Sequence, residues 1–317
     1  MMVDGGGTRK GNAPPLLPLH DLSVTANVDA AEISSFTRGA WMLAVRFSTL
    51  AVLTSVALGL VPSGARAQTP LAPLSPSGQT ATPAFEGWYK NPDGTFSLSF
   101  GYYSRNSAEV VNIPIGPDNF VSPGNADQGQ PTFFYPRRHW GVFAVKVPAD
   151  FGDKQKVVWT VKMQGKTFAI SGSLREEWQI DALEGEAGSN NTPPVLTIGP
   201  SGTEARGPAG ATVERSATVG KPLTIDVVAK DDGASATTRG GSPVVLTWFT
   251  HQGPAQATFA PASSRLTPKG GSASTTATFS TPGDYIIRVR ATDSDMTAAG
   301  HSQCCWTNAF VKVRVTP

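Results

Sequence analysis

The sequence predicts an all-β protein made of two antiparallel β-sandwich domains. Turn-forming residues are frequent, with 33 glycines and 26 prolines in 317 residues, and apolar residues alternate with polar ones in many short runs. No amphipathic helical pattern of useful length follows residue 68. The roughly 250 residues after that point are enough for two small sandwiches, each with its own core.

Residues 38–67 have the features of a secretory signal peptide. Arg38 and Arg46 precede an apolar run from Phe47 to Val61, and the segment closes on Ala65-Arg66-Ala67. A positive flank, a short apolar run and a small-x-small cleavage site are what the export machinery recognises, and a run of about 15 residues is short for a bilayer. We therefore expect an exported protein, periplasmic, at the cell surface or extracellular, without a transmembrane anchor after cleavage before Gln68.

Residues 1–37 precede this signal and carry Gly5-Gly6-Gly7, several prolines and no sustained periodicity. They are interpreted as a non-native or disordered leader extension. Met42, followed by Leu-Ala-Val-Arg46, would make an ordinary signal-peptide start, so a misassigned initiation codon explains the extension. A genuine long leader is the alternative.

The charge of the exported part is close to neutral. Removing the five basic and four acidic residues of positions 1–67 from 26 and 24 leaves a net charge of +1. Such a balance gives no long-range attraction to nucleic acid or to an anionic membrane. The partner expected is carbohydrate, or an envelope or surface protein.

Residues 68–84 are rich in Pro, Ser and Thr and are predicted to form an extended tether. The first domain is expected over residues 85–184. Asn91-Pro-Asp-Gly94 has the residues of a tight turn, and Gln164-Gly165 those of a short hairpin. The predicted strands of this sandwich or barrel are Thr95 to Tyr103, Glu109 to Ile113, Trp140 to Val147, Lys156 to Met163 and Lys166 to Ser171.

A polar linker is predicted at residues 185–192, and the second domain over residues 193–317. Here the alternation is cleaner. One face collects the apolar residues Leu223, Ile225, Val227, Ala229, Val244, Leu246, Trp248, Tyr285, Ile287, Val289, Ala291, Val311, Val313 and Val315. The other face, expected to be wet, carries Asp226, Arg288, Arg290, Lys312 and Arg314.

The second domain resembles a PKD or related Ig-like domain. The run from Thr281 to Asp293, the Asp231-Asp232-Gly233 after a strand and the mid-domain Trp248 are similar to that family. Trp248-Phe-Thr-His-Gln-Gly-Pro254 stands where PKD domains have a Trp-Asp-Phe-Gly-Asp-Gly segment. The resemblance implies an Ig-like sandwich used as a spacer or as an interaction module. The first domain's Phe85 to Tyr103 segment is similar to uncharacterised exported bacterial proteins.

A long loop-like stretch between Ile113 and His139 is the candidate ligand site. It interleaves aromatic rings with amide, carboxylate and guanidinium groups, which suit the apolar face and the hydroxyls of a sugar. The alternative makes the aromatics core residues and the polar groups turn formers. The candidate ligand-binding residues are Asp118, Asn119, Asp127, Gln128, Tyr135, Arg137, Arg138 and His139.

Four aspartates at strand ends of the second domain have oxygen ligands that would suit calcium. They occur in an Asp-Asp-Gly and an Asp-Ser-Asp sequence, although the EF-hand pattern is missing and Asp is common in turns. The candidate calcium ligands are Asp231, Asp232, Asp293 and Asp295. No other cofactor is expected.

Cys304 and Cys305 are the two cysteines of the chain and are adjacent. Neighbouring Cα atoms lie about 3.8 Å apart across a trans peptide, whereas disulfides usually span about 4.4–6.8 Å. Export nevertheless favours oxidation. A vicinal disulfide, an intermolecular bridge and free thiols all remain open.

No catalytic motif follows the leader, whether a Gly-x-Ser-x-Gly elbow, a His-Glu-x-x-His helix, a Walker loop or a dinucleotide fingerprint. The sequence therefore favours a non-enzymatic binding or spacer protein of the bacterial surface or periplasm. One alternative is a hydrolase of extracellular polymer with a site in residues 85–184, for example with Glu109 and Glu177 as the carboxylate pair. A structural assembly component is the other.

Overall fold

A computed structural model describes residues 75–185, 191–234, 241–293 and 304–317. The predicted signal peptide and residues 68–74 of the expected tether lie outside these ranges. The chain from Leu71 to Pro317 groups into one compact unit. Strands hold 55% of the described residues and helix 1%, which confirms the predicted all-β class. Within it, no helix has the length and apolar content needed to cross a membrane.

The N-terminal part contains eight strands and one turn of 3-10 helix. The strands are β1 (Ala81–Lys90), β2 (Phe96–Ser104), β3 (Val111–Asn112), β4 (Asn119–Ser122), β5 (Phe133–Phe134), β6 (Arg137–Val147), β7 (Val157–Met163) and β8 (Lys166–Gly172), and the helical turn is Glu176–Trp178. Sheet A has the order β1-β2-β6 and sheet B the order β4-β7-β8, with β3 and β5 pairing beside them. All of these pairings are antiparallel.

Sheets A and B enclose an aromatic core. Trp159 lies at its centre, with its ring 5.0 Å from Phe143 and 6.1 Å from Phe134. The two predicted turns occur where expected: Gly94 N–H donates to the Asn91 carbonyl, and Gln164 and Gly165 both have positive φ. Positive φ at both turn residues is the geometry that matches the twist of a two-residue hairpin.

Strand β1 begins earlier than the sequence suggests. Residues 81–84 were expected to belong to the tether, yet they form the first part of β1, and Ala81 pairs with Ser104. Ala81 is fully buried in the sandwich core. Small residues and a proline conceal this strand, because their composition resembles that of a linker.

The C-terminal part is a sandwich of two five-stranded sheets. The strands are β9 (Val195–Ile198), β10 (Thr203–Ala205), β11 (Ala211–Thr218), β12 (Leu223–Lys230), β13 (Val245–Gln252), β14 (Thr258–Ala260), β15 (Ser263–Arg265), β16 (Gly270–Thr278), β17 (Gly283–Thr292) and β18 (Trp306–Thr316). Sheet C has the order β10-β9-β12-β16-β14, and sheet D the order β11-β18-β17-β13-β15. Among the paired strands of this sandwich in the described part, only β11 and β18 run parallel.

The core between sheets C and D contains the apolar face that the alternation predicts, including Ile225, Leu246, Trp248, Ile287 and Val311. Two packed, mainly antiparallel sheets with inward apolar faces form an Ig-like sandwich. The assignment to the PKD subfamily stays a prediction. The domain boundary at residues 185–192 also stays a prediction, and residues 186–190 of it lie outside the described ranges.

The opposite face of sheet D differs from expectation. Lys312 and Arg314 are exposed as predicted, but Arg288 is 1% exposed and Arg290 is half-buried. The prediction of a uniformly wet face is therefore wrong at Arg288. Residues of the N-terminal sandwich cover this part of sheet D, which a pattern within one domain cannot reveal.

Candidate functional site

The loop that was predicted to bind a ligand packs against strand β13 of the second sandwich. Thr132 N–H donates to the His251 carbonyl at 2.8 Å. Thr250 N–H donates to the Tyr135 hydroxyl at 2.9 Å, and the Gln252 amide donates to the Gln130 carbonyl at 2.7 Å. Backbone and side-chain groups of both sandwiches are thus satisfied by one another at this junction.

The acidic and amide candidates of the loop have internal roles. Asn119 is buried and donates to the Ile113 and Pro131 carbonyls, while its oxygen accepts from the Trp159 indole at 3.0 Å. Its three hydrogen bonds fix the loop onto the N-terminal core, so the structure gives this side chain a structural role.

Asp127 and Gln128 shape the same loop. Asp127 accepts from the Gly129 N–H at 3.0 Å and from the Gln252 amide at 3.1 Å. Gln128 donates to the Pro123 and Asn125 carbonyls. Asp118 has an exposed side chain and lines a separate cleft of about 540 Å³. Ligand binding by these residues stays a prediction.

The aromatic candidates surround Phe249 of β13. The ring of Tyr135 lies 5.1 Å from Phe249 in an edge-on arrangement, and the ring of His139 lies 5.6 Å from it. On sheet D, the Arg288 guanidinium lies 4.5 Å from the same ring centroid and that of Arg290 lies 5.4 Å from it. Two cations therefore share one aromatic ring at the junction of the sandwiches.

The two arginines carry charge without a carboxylate partner among the ion pairs of the described residues. Burial and their mutual repulsion lower the pKa of Arg288 to about 9, and burial lowers the pKa of Arg290 to about 10. Arg288 reaches the Asn308 side-chain oxygen at 3.4 Å. Both guanidinium groups lie against the ring of Phe249, and Arg288 alone also reaches an amide oxygen.

Two histidines at the junction are kept neutral. Burial, followed by the charge of Arg288, lowers the pKa of both His139 and His251 to about 3. The Nε2 atom of His251 lies 2.7 Å from the Gly129 carbonyl, and that of His139 lies 3.1 Å from the Pro136 carbonyl. Because a carbonyl can only accept, each Nε2 carries the proton.

Arg138 forms a separate arrangement on the outer face of sheet A. It pairs with the buried Glu86 at 2.6 Å, and its guanidinium stacks 3.8 Å from the ring centroid of Trp140. Tyr103 lies beside it in register on β2 and is 39% exposed. Arg137 adopts a positive φ of 75° and is half-buried.

Three of the predicted calcium ligands lie at one end of the second sandwich. Asp231 and Asp232 follow β12, and Asp293 follows β17. Asp232 accepts hydrogen bonds from the Thr192 N–H and hydroxyl. The fourth candidate, Asp295, lies outside the described residues.

The carboxyl groups of Asp231 and Asp293 face an unfavourable environment. Burial and the neighbouring Asp231 charge raise the pKa of Asp293 to about 8. Burial likewise raises the pKa of Asp231 to about 6. Within the described ranges, no group of three or more His, Cys, Asp or Glu side chains has an arrangement able to hold a metal ion.

The structure bonds Cys304 to Cys305 as a vicinal disulfide at the same end. Both residues are buried, and their sulfur atoms lie 3.6 and 3.4 Å from the Asn191 carbonyl oxygen. A disulfide has no S–H to donate, so these are packing contacts. The pair fixes the entry to β18 beside the entry to β9.

The carboxylates suggested for a hydrolase are not paired. Glu109 accepts from the Gly78 N–H and the Asn106 amide, and it lines the 540 Å³ cleft with Asp118. Glu177 forms an ion pair with Arg175 on the exposed helical turn and is not among the residues that line that cleft. The two groups therefore do not face one substrate there.

A larger cleft, of about 940 Å³, lies where the two sandwiches meet. Its walls combine polar and apolar surface and carry the ion pair of Lys146 with Asp93. Tyr89 spans its base, accepting a hydrogen bond from the Ala209 N–H at 3.0 Å. Because Tyr89 is buried, its ring is not available as a stacking surface.

The role of β13 as a contact strand for the first sandwich was not predicted from the sequence. A usable signal was present, since Trp248-Phe249 places one large aromatic on each face of the strand. A large aromatic side chain is unfavourable on a solvent-exposed strand face. Two adjacent aromatics, one on each face, therefore predict that both faces of the strand are buried.

No model of a known protein family matches the chain. No curated protein matches it either. Among solved structures, domains 4 and 5 of the S-layer protein SbsC are 16% identical, with 56% of this chain and 71% of that chain covered and a TM-score of 0.22.

The D00-D0 domain of Intimin is 11% identical, with 75% of this chain and 100% of that chain covered and a TM-score of 0.25. The D0-D1 domain of Intimin is 12% identical, with 74% of this chain and 94% of that chain covered and a TM-score of 0.21. These scores support no assignment, and the fold described above rests on its own sheets.

Proposed function

We propose that this protein is an exported, non-enzymatic module of the bacterial cell surface or periplasm that acts as a rigid spacer. The packing of residues 127–139 onto β13 is the observation that carries the proposal. Hydrogen bonds from Thr250, His251 and Gln252 reach the loop of the first sandwich. A pair of sandwiches joined in this way holds a fixed length and orientation.

The contact region between the two sandwiches is buried and packed like a protein core. Phe249 is buried between rings of the first sandwich and arginines of the second. Separating the sandwiches would expose these rings and leave buried donors without acceptors, at about 1–3 kcal/mol for each group that finds no new partner. Linked domains with a small polar interface usually move relative to each other, and this interface opposes that motion.

The experiment measures the distance between two spin labels, one on each sandwich, at Lys166→Cys and Lys221→Cys. Both positions are exposed, and the native cysteines are bonded to each other. We expect one narrow distance distribution, which broadens in Phe249→Ala. A broad distribution in the otherwise native protein would contradict the spacer function. Fractionation of cells that express the full chain tests export.

A second candidate function, carbohydrate binding, is favoured by the outer face of sheet A. Tyr103 is exposed between its cross-strand neighbours Thr82 and Arg138. Arg138 is fixed by Glu86 and by its stacking on Trp140. An exposed ring flanked by a fixed guanidinium and a hydroxyl provides both a stacking surface and hydrogen-bond donors for a sugar.

Retention on insoluble polysaccharides tests this second function. We expect Tyr103→Ala to lose at least tenfold in retention. Trp178→Ala is the matched control, because it removes an exposed aromatic elsewhere on the same sandwich. Equal retention of both variants and the native protein would reject the Tyr103 surface, and release of soluble sugar would indicate a hydrolase.

A further inference from the structure

Two positive charges at the junction of the sandwiches have no negative partner among the described residues. Arg288 is buried and Arg290 is half-buried on the same face of sheet D. The ion pairs in the described part of the chain include neither arginine. A buried charge is costly unless an opposite charge or several hydrogen bonds compensate it.

Hydrogen bonds compensate little of this charge. A guanidinium group donates from every nitrogen and accepts nothing. Arg288 has one long contact, to the Asn308 side-chain oxygen at 3.4 Å. Its Nε atom and that of Arg290 are buried and have no hydrogen-bond partner within the described ranges. Both groups lie against the ring of Phe249, but a ring face attracts the charge without serving as an acceptor for the N–H groups in the guanidinium plane.

The first sandwich adds a further donor at the same place. The Tyr102 hydroxyl is buried and accepts from the Tyr135 N–H at 2.8 Å, and its own O–H has no acceptor among the described residues. Burial raises the pKa of Tyr102, and the charges of Arg288 and Arg290 act against this rise, so the hydroxyl lies within the field of both guanidinium groups. Donors from both sandwiches therefore gather around the two arginines.

Acceptors are scarce at this position. Besides the Asn308 oxygen, the junction has the Nδ1 atom of His139, which is buried and has no partner in the described part of the chain. Because burial lowers the pKa of His139 to about 3, its ring is neutral and contributes no negative charge. Neutral acceptors of this kind leave the net charge of the two arginines in place.

We propose that Arg288 and Arg290, together with the Tyr102 hydroxyl, bind a chloride ion at the junction of the two sandwiches. An anion provides an acceptor for the donors and a counter-ion for the charges. A monatomic ion fits better than sulfate or a carboxylate. The rings of Phe249, Tyr102 and His139 pack closely there, and neither arginine lines the clefts of about 540 and 940 Å³. Because Arg290 is only half-buried, the ion can exchange with solvent beside it.

The ion would join the two sandwiches. Tyr102 belongs to β2 of the first sandwich, and Arg288 and Arg290 belong to β17 of the second. Because these groups separate on unfolding, a bound ion stabilises the folded state. The stabilisation grows with the free chloride concentration, since the binding free energy is added to the folding free energy.

Thermal unfolding at pH 7 tests the proposal, using protein purified from cells that express the full chain. Sodium gluconate replaces sodium chloride at constant ionic strength, so that screening of surface charges is the same in both buffers. We expect chloride to raise the Tm by about 4–7 °C at a twentyfold excess over its Kd. Arg288→Met should lose this shift. In gluconate the same variant should melt at or above the native temperature, because it removes a buried charge that no ion then compensates.

Arg314→Met is the matched control. Arg314 lies on the same face of sheet D, but its side chain is exposed and pairs with Asp284 at the surface. This variant should keep the full chloride shift. Arg290→Gln provides a second test should Arg288→Met fail to fold, because it removes one charge and keeps a side-chain donor.

Broadening of the chloride NMR signal measures binding independently of stability. We expect broadening with the native protein and with Arg314→Met, and its loss with Arg288→Met. Two results would overturn the proposal. One is a native protein that has the same Tm in chloride and in gluconate, which would mean that ordered water satisfies the donors. The other is a chloride shift of native size in both Arg288→Met and Arg290→Gln, which would place the ion elsewhere.

Discussion

The hydroxyl oxygen of Tyr135 accepts a hydrogen bond from the backbone N–H of Thr250 at 2.9 Å, between two residues that lie 115 positions apart. This contact joins the loop of the first sandwich to a strand of the second. Both groups lie in a partly buried junction, so neither can be replaced readily by water. The contact is therefore a sensitive probe of how firmly the sandwiches are joined.

Replacing Tyr135 by Phe should destabilise the protein by about 1–3 kcal/mol. The substitution keeps the ring on Phe249 but leaves the Thr250 N–H without its acceptor. Urea unfolding measures the change. Tyr103→Phe, which removes a hydroxyl from an exposed ring, is the control and should alter stability by less than about 0.5 kcal/mol.

Replacing Arg288 by Met should stabilise the protein by about 1 kcal/mol or more at pH 7. The guanidinium is buried without a carboxylate partner, and an apolar side chain of similar length removes the cost of burying its charge. The loss of stacking on Phe249 opposes this gain. A clear loss of stability would show that the cation–aromatic contacts outweigh the burial cost.

The contribution of the two junction histidines to stability should fall as the pH is lowered from 7 to 4, whereas the raised pKa values of Asp231 and Asp293 act in the opposite direction over the same range. His139 and His251 have a folded pKa of about 3 against an ordinary value of 6.5. At these two side chains the unfolded chain therefore binds more protons than the folded chain between these values, and their contribution to stability rises with pH across that window. At pH 4.5 each histidine should cost about 2–3 kcal/mol relative to pH 7.

Urea midpoints at a series of pH values measure this dependence. Between pH 7 and pH 4.5, His251→Gln should lose about 2–3 kcal/mol less stability than the native protein, because it keeps a donor for the Gly129 carbonyl and has no titratable group. Acid sensitivity that is equal in the native protein and in this variant would assign the effect to other groups.

Reduction of the Cys304–Cys305 disulfide should change global stability by less than about 1 kcal/mol. The bond joins adjacent residues, so it closes almost no loop in the unfolded chain and contributes little through chain entropy. Thermal unfolding with and without a strong reductant measures the difference. A loss of several degrees in Tm would mean that the bond mainly stabilises native packing around Asn191.

The strands of the second sandwich were predictable because alternation reports directly on burial. Leu246, Ile287 and Val311 all lie in the core where their two-residue period places them. The same reasoning failed at Arg288, because its burial depends on the other sandwich and does not change the alternation of apolar and polar residues along β17. Long-range docking is set by shape and by side-chain partners far apart in sequence.

The candidate sites were likewise only partly predictable from the sequence. The sequence indicated that Asp231 and Asp293 lie at strand ends, because acidic residues follow apolar runs there. It did not indicate that Asp293 is buried, because that burial requires the packing of both sheets. For the loop of residues 113–139, the residue types suited either a sugar site or a domain junction, and the internal contacts of Asn119 and Tyr135 follow only from the fold.

The parallel pairing of β11 with β18 affects how the second sandwich would respond to pulling. The two strands are in register over eight residue pairs, from Ala211 with Ala309 to Thr218 with Thr316. A force that draws the start of β11 away from the end of β18 acts along the strands, so it loads the evenly spaced ladder in shear. Its hydrogen bonds must then break together, whereas a hairpin pulled from its open end loses them one at a time. The pairing of β18 with β11 is thus loaded in shear, which is the direction in which a strand pair best resists extension.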